Sequence, residues 1–217
     1  MNFYKIVPAV IATFVGVGVA SATAVSAEEQ GPAKSQATVE ILPGDETKPT
    51  DPIDPEDPDK GTGQTGDLTI DYVSSLDFGS FQLESKSVTL EANQDRQNDP
   101  NVQVTDKRGT GDGWTLTVAQ TQEFKSAEGH TLAGAQLTLP AGNLKTNNIN
   151  NNNAPTPKTV AVNAEPNVVM VAEKDQGLGT WVNQFARENT TLEIPAGNYA
   201  GSYESELTWT LSNAPQE

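Results

Sequence analysis

The chain has 217 residues, no cysteine, one histidine and a formal charge of −16, and 35% of its residues are hydrophobic. The hydrophobic fraction lies below the roughly 45% usual for globular chains, so part of the sequence is expected not to fold. The charge argues against nucleic acid as a partner, because an acidic surface repels phosphate. The lack of cysteine excludes disulfides, thiolate nucleophiles and Cys-ligated metal sites.

Residues 1–27 have the pattern of a secretory signal peptide. Lys5 is the only charge in this range, and it precedes an apolar run of 15 residues, 6–20. That run is shorter than the roughly 20 residues that span a bilayer, and the small residues before Glu28 suit cleavage after Ala27. We therefore predict an exported protein without a transmembrane segment in its mature chain, residues 28–217. A retained N-terminal anchor is the less favoured alternative.

Residues 28–66 have the composition of a disordered, acidic, proline-rich spacer. They contain ten acidic residues, three lysines and six prolines, with few branched apolar side chains. Such a segment buries too little apolar surface to offset its loss of conformational entropy, and proline and charge repulsion keep it extended. A calcium site in residues 51–59 is an alternative, but proline opposes the tight looping that calcium-binding loops need.

From Asp67 onward the sequence changes to short alternating segments separated by turn residues, and no helical period persists for three turns. This pattern is typical of an all-β sandwich or barrel-like single domain, residues 67–217, that is large enough to be stable without disulfides. The ten predicted strands are residues 68–73, 79–83, 87–91, 102–105, 113–121, 135–140, 158–162, 168–172, 190–194 and 205–211.

A Trp-x-Leu tripeptide occurs twice, as Trp114 with Leu116 and as Trp209 with Leu211. Because side chains alternate along a strand, each tryptophan shares one face with its leucine, and threonines take the opposite face. We interpret both tryptophans as core residues, each burying about 200 Å². The alternative is an exposed aromatic shelf that stacks on sugar rings.

In their wider context the two motifs resemble the WxL surface-protein family of Gram-positive bacteria. The resemblance also includes the leader, the acidic spacer and three short segments: Leu76-Asp77-Phe78-Gly79, Asp112-Gly113 and Ser212-Asn213-Ala214-Pro215. It implies that the family's functional motif falls on Trp114, Leu116, Trp209 and Leu211. It further implies a secreted protein of the cell wall or cell surface, attached noncovalently to peptidoglycan within a surface complex linked to adhesion. Membrane-anchored WxL-interacting proteins are the implied partners.

Two functions stay open on the sequence. In the first, the domain attaches the protein directly to peptidoglycan. In the second, it is a structural or adhesin subunit that docks on a membrane-anchored WxL-interacting partner by edge-strand or face contact, without direct glycan binding. Residues 67–217 carry 9 basic and 19 acidic side chains, so bulk electrostatics disfavours a polyanionic wall. Binding then depends on neutral hydrogen bonds and aromatic contacts, on divalent cations, or on a partner protein.

A third tryptophan, Trp181, is the candidate for a glycan contact. It lies in a glycine-flanked segment outside strand alternation, and Asn183 and Gln184 follow it closely. The alternative for this residue is a hydrophobic plug that closes the barrel.

We expect no enzyme, no cofactor and no metal site. Residues 67–217 hold 19 carboxylates, so close pairs are unavoidable, and no pair stands out as the two catalytic groups of a glycosidase. The glycine-rich residues 61–66 lack the Lys-Ser/Thr of a phosphate-binding loop. His130 lies in a predicted turn, where a solvated side chain is expected.

Overall fold

The computed structural model describes residues 34–55, 60–93, 95, 98–149 and 153–213. The predicted signal peptide, residues 1–27, lies outside the described residues, as does the beginning of the predicted spacer. Residues 41–217 form one compact unit, which contains all the strands described below. No helix in the described ranges has the length and apolar character needed to cross a membrane.

The fold is all-β, as predicted, with a single short 3₁₀ helix, Arg187–Asn189, in the described part of the chain. The strands form three antiparallel four-stranded sheets in an open, sandwich-like arrangement. The strands are β1 Leu68–Val73, β2 Val88–Glu91, β3 Asn101–Asp106, β4 Trp114–Ser126, β5 Gln136–Leu139, β6 Asn143–Lys145, β7 Thr156–Pro157, β8 Val160–Val162, β9 Asn167–Ala172, β10 Gly179–Gln184, β11 Thr191–Ile194 and β12 Tyr203–Ser212.

Each sheet combines strands that are distant in the sequence. Sheet A has the order β1-β3-β10-β6, sheet B the order β2-β11-β5-β8, and sheet C the order β12-β4-β9-β7. Strand β4 therefore lies between β9 and β12, and β12 forms one edge of its sheet. This topology makes the strand that contains the first Trp-x-Leu motif an interior strand and the strand that contains the second an edge strand.

One apolar cluster joins residues of all three sheets. Most of its members occupy alternate positions of their strands, as the alternation of hydrophobic residues predicts. They include Ile70, Val102, Val104 and Trp181 of sheet A, Leu137, Leu139, Leu192 and Ile194 of sheet B, and Trp114, Leu116, Val118 and Met170 of sheet C.

The strand prediction contains one false strand and misses three described strands, of which β6 and β7 have only three and two residues. Residues 79–83 form no strand: Gly79 adopts a positive φ of 66°, and Phe81 and Leu83 are exposed. Conversely, the segment around Trp181 is strand β10, although it was expected to lie outside strand alternation. All four residues from Trp181 to Gln184 are buried, so both faces of this strand are covered and its sequence does not alternate.

An acidic, proline-containing segment lies against sheet A. We call residues 44–55 the acidic strap. Gly44 donates its N–H to the carbonyl of Lys107 at 3.1 Å, and Asn98 donates its side-chain amide to the carbonyl of Pro55 at 3.1 Å. The strap thus runs antiparallel to β3 along its whole length. The prediction of a disordered spacer did not anticipate these contacts, and the predicted domain boundaries at residues 28 and 67 stay predictions.

Candidate functional site

The first motif is part of the core. Trp114 and Leu116 are fully buried, and the indole N–H of Trp114 donates to the carbonyl of Gly177 at 3.2 Å. A Cβ on Gly177 would come within 2.4 Å of the indole nitrogen, and one on Gly113 within 2.3 Å of the carbonyl oxygen of Ala172. Both glycines have a φ of 75°. Gly177 therefore makes room for the indole and Gly113 for the close approach of β9, and this motif supports the fold.

A buried ion pair fastens the strands that contain the motifs. Arg108 binds Asp106 at 2.8 Å, with 10% and 0% of the respective side chains exposed. The same guanidinium donates to the carbonyl of Gly113 at 2.8 Å and to that of Asn213 at 3.5 Å. Its hydrogen bond to Asp106 raises the pKa of Arg108. The pair thus links the end of β3 to the residues beside the start of β4 and the end of β12. Sequence reasoning missed it, since nothing in the pattern separates these two charges from exposed ones.

The second motif pairs directly with the first. Leu211 lies opposite Leu116, and Trp209 lies opposite Val118, across the β4–β12 ladder. Leu207, Trp209 and Leu211 are partly buried, whereas Glu206, Thr208 and Thr210 are exposed, so the predicted division of faces holds along β12. Because β12 is an edge strand, Trp209 is only half-buried, and its ring centroid lies 6.3 Å from that of Phe185.

A groove of about 630 Å³ lies beside the inner face of β12. Trp114 and Trp181 are 0% and 2% exposed. Of the three tryptophans, all of which the structure describes, Trp209 is the one that lines this groove. The early Leu76-Asp77-Phe78-Gly79 segment contributes two of its side chains to the wall, so two of the segments on which the family resemblance rests meet here. The apolar wall consists mainly of Leu76, Phe78, Phe124, Tyr203, Leu207 and Trp209, with Ser74, Ser205, Glu204 and Glu206 as polar members.

The three candidate glycan contacts lie elsewhere, on β10. Trp181 is 2% exposed and donates its indole N–H to the carbonyl of Leu178 at 3.0 Å. Asn183 is fully buried, and Gln184 donates its amide to the carboxylate of Asp54 in the strap. None of the three is presented to solvent. A glycan contact at these residues stays a prediction, and the burial of Trp181 fits the alternative of a plug in the core.

The titratable side chains of the described residues bear on whether the groove could bind a metal ion. Within the described ranges, no three His, Asp or Glu side chains are placed to hold one metal ion. His130 instead stacks on Tyr199, with ring centroids 4.1 Å apart. The groove can therefore offer ring stacking and hydrogen bonds, and its described residues supply no metal-binding cluster.

Residues 28–215 match the family described as WxL domain surface cell wall-binding. The chain belongs to the WxL family. The resemblance seen in the sequence is thereby confirmed, and the WxL protein is a secreted protein of the cell wall or cell surface. The matched range includes the acidic strap as well as the strands. Comparisons with curated proteins and with solved structures found no match.

Proposed function

We propose that this WxL protein attaches noncovalently to peptidoglycan and that the groove beside β12 makes the contact. The observation that carries the proposal is the partly buried indole of Trp209, which lines a groove that also contains Tyr203 and serine hydroxyls. Sugar rings present apolar faces that pack on aromatic rings and hydroxyls that pair with polar side chains. The groove combines both kinds of group within one concave surface.

The charge of the domain bears on what the groove can bind. Glu204 and Glu206 alternate along β12 with the residues that face the groove, and residues 67–217 carry 19 acidic and 9 basic side chains. Anionic wall polymers are therefore repelled, and the attraction comes from ring stacking and hydrogen bonds to neutral sugar. The expected ligand is the glycan of peptidoglycan itself.

Sedimentation with purified sacculi tests this proposal. The chain of residues 28–217 is mixed with protein-free sacculi, and the pelleted fraction is measured. Trp209→Ala is expected to weaken pelleting about tenfold or more, because truncating a tryptophan anchor at a binding site commonly costs about 2 kcal/mol and about 1.4 kcal/mol corresponds to a factor of ten. Thr210→Ala, on the exposed face of the same strand, is the matched control and should pellet like the unsubstituted chain. A folded Trp209→Ala protein that pellets normally would rule the groove out.

A second function is favoured by the edge of sheet C. Strand β12 has 10 residues and, in the described part of the chain, pairs only with β4. The unpaired backbone groups of an edge strand can accept a strand from another protein. In this second function the domain docks on a membrane-anchored partner and makes no glycan contact. The unsubstituted chain would then fail to pellet with bare sacculi and would pellet only when the partner is added.

A further inference from the structure

The outer face of sheet A forms a polar cradle beneath the acidic strap. Asp71, Asn101, Gln103 and Thr105 all point to this face, and each is at most 3% exposed. Buried polar side chains of this kind need partners, because an unpaired buried polar group costs roughly 1–3 kcal/mol. Asp71 accepts from Gln103 at 2.9 Å and from Thr105 at 2.5 Å. These two hydrogen bonds hold the side chains of the cradle in place without any atom of the strap.

The cradle binds the strap by its backbone. The amide of Gln103 donates to the carbonyl of Asp51 at 3.1 Å and accepts from the N–H of Ile53 at 2.7 Å. The amide of Asn101 donates to the carbonyl of Asp54 at 2.9 Å. A side-chain amide that pairs with both a carbonyl and an N–H recognises an extended chain as a neighbouring strand would. These bonds therefore select an extended peptide without selecting its side chains.

One side chain of the strap is recognised specifically. The carboxylate of Asp54 binds the ammonium of Lys145 at 2.7 Å and also accepts from the amide of Gln184. Only 18% of the Asp54 side chain is exposed, whereas 51% of the Lys145 side chain is. Replacing Asp54 by a cation would place two like charges at this contact, so the cradle discriminates in favour of an acidic residue at this position.

The strap is bound with little apolar burial. None of residues 44–55 is fully buried, and Ile53 is the one large aliphatic side chain in this range to be partly buried. Release exchanges hydrogen bonds with protein for hydrogen bonds with water, at a net cost of roughly 1 kcal/mol for each bond. In addition, the buried Oδ1 of Asn101 has no hydrogen-bond partner among the described atoms, so the strap does not use the whole cradle. Release of the strap therefore exposes little apolar surface, and its cost lies mainly in these hydrogen bonds.

The strap sequence repeats the recognised unit. Asp-Pro occurs at residues 51–52, 54–55 and 57–58, with a spacing of three residues. Of the two units within the strap, Asp51 is exposed, whereas Asp54 is partly buried and bound to Lys145. The unit at residues 54–55 is therefore the one that the cradle recognises.

We propose that the cradle of one copy binds the acidic strap of a second copy, so that neighbouring WxL proteins at the cell surface are joined by strap exchange. Exchange between copies preserves every contact that the strap makes within one copy. Exchange competes with the strap of the same copy, which has a high effective concentration because it is covalently attached. This disadvantage becomes smaller as copies become crowded on a surface. The proposal does not depend on the groove beside β12 or on glycan binding.

A charge-swap experiment tests the exchange. Asp54→Lys and Lys145→Asp each place like charges at the strap contact within one chain, and both are expected to remain monomeric alone. In their mixture, the strap of the Asp54→Lys copy can pair with the cradle of the Lys145→Asp copy, because the substituted side chains have opposite charges. The unsubstituted Asp54 of the second copy can pair with the unsubstituted Lys145 of the first. Both pairs form only between two copies. Light scattering should therefore show a doubled mass for the mixture. The double variant Asp54→Lys/Lys145→Asp restores the pair within one chain and is the monomeric control.

A second experiment, with synthetic peptides, tests the proposal if a charge-swap chain does not fold. The milder Asp54→Asn chain is titrated with a synthetic peptide of residues 47–58 and with the same peptide carrying Asp54→Lys. The native peptide is expected to bind at least about tenfold more tightly than the substituted one, a difference of 1.4 kcal/mol. A mixture that stays monomeric although both variants fold would overturn the proposal, as would equal or absent binding of the two peptides.

Discussion

Trp114 depends on two glycines that the sequence offers no reason to connect. Gly113 precedes it directly and lies against the carbonyl of Ala172, whereas Gly177 lies 63 positions away beside the indole, and both have left-handed backbone conformations. A side chain at either position would meet backbone or ring atoms below 2.5 Å. At the scale of single residues, the first motif therefore needs a glycine on each side as much as it needs the tryptophan.

Gly113→Ala is expected to destabilise the fold strongly. The left-handed conformation alone costs an alanine about 1–2 kcal/mol, and the contact with the carbonyl of Ala172 adds to this. Urea unfolding followed by tryptophan fluorescence measures the change. Gly129→Ala is the control, because Gly129 also has a positive φ but its added Cβ would meet no atom within 4 Å. Equal losses in both variants would show that backbone strain, without the clash, accounts for the effect.

Arg108→Ala is expected to cost about 3–5 kcal/mol, since it leaves the buried carboxylate of Asp106 without its cation. The double variant Asp106→Asn/Arg108→Ala removes that uncompensated charge and should recover part of the loss. Thermal unfolding of the three chains gives the comparison. A double variant less stable than Arg108→Ala would mean that Asp106 has a stabilising role independent of the arginine.

At the scale of strands, β12 follows a simple rule of alternating faces. Its apolar residues pack towards the core and its threonines face solvent, as the sequence predicted. The rule fails for β10, because both faces of that strand are covered and polar residues such as Asn183 are buried beside Trp181. Sequence patterning thus predicts strands with one solvated face, and it misses strands whose second face is covered by another segment.

The same limit of sequence patterning applies to the candidate site. Alternation and the family resemblance predicted the apolar roles of Trp114, Leu116 and Leu211. They could not predict that β12 is an edge strand, which is what leaves Trp209 only partly buried beside a groove. Nor could composition predict that the amides of Gln103 and Asn101 bind the acidic strap, since a proline-rich acidic segment has no apolar pattern of its own.

Aspartate substitutions on the two faces of β12 should have unequal effects. Leu211→Asp places a charge opposite Leu116 against the core and is expected to cost more than about 2 kcal/mol. Thr210→Asp adds the same charge on the exposed face and should change stability by no more than about 0.5 kcal/mol. Chemical unfolding of both chains gives the two values. Equal losses would contradict the assignment of the faces.

At the scale of the whole molecule, charge governs how the protein meets the wall. The chain has a formal charge of −16 and its β-domain carries more than twice as many acidic as basic side chains. In the proposed function, attachment to a polyanionic wall works against this repulsion, and the attraction comes from local contacts.

Added salt is expected to strengthen wall association or leave it unchanged. Salt screens repulsion between like-charged partners, with a screening length of about 10 Å at 0.1 M that falls to about 3 Å at 1 M. Sedimentation with sacculi across this range provides the measurement. Release of the protein at high salt would indicate that attractive charge contacts bind it, contrary to the proposed groove.

The position of β4 between β9 and β12 also determines when the protein can fold. Thr117 and Thr210, on facing strands, are 93 positions apart. The entropy of closing so long a loop is lost before the contact stabilises the fold. Trp114 and Leu116 have no neighbouring strand on one side until residues 203–212 pair with β4. Sheet C can therefore close only when nearly the whole described chain is available for folding.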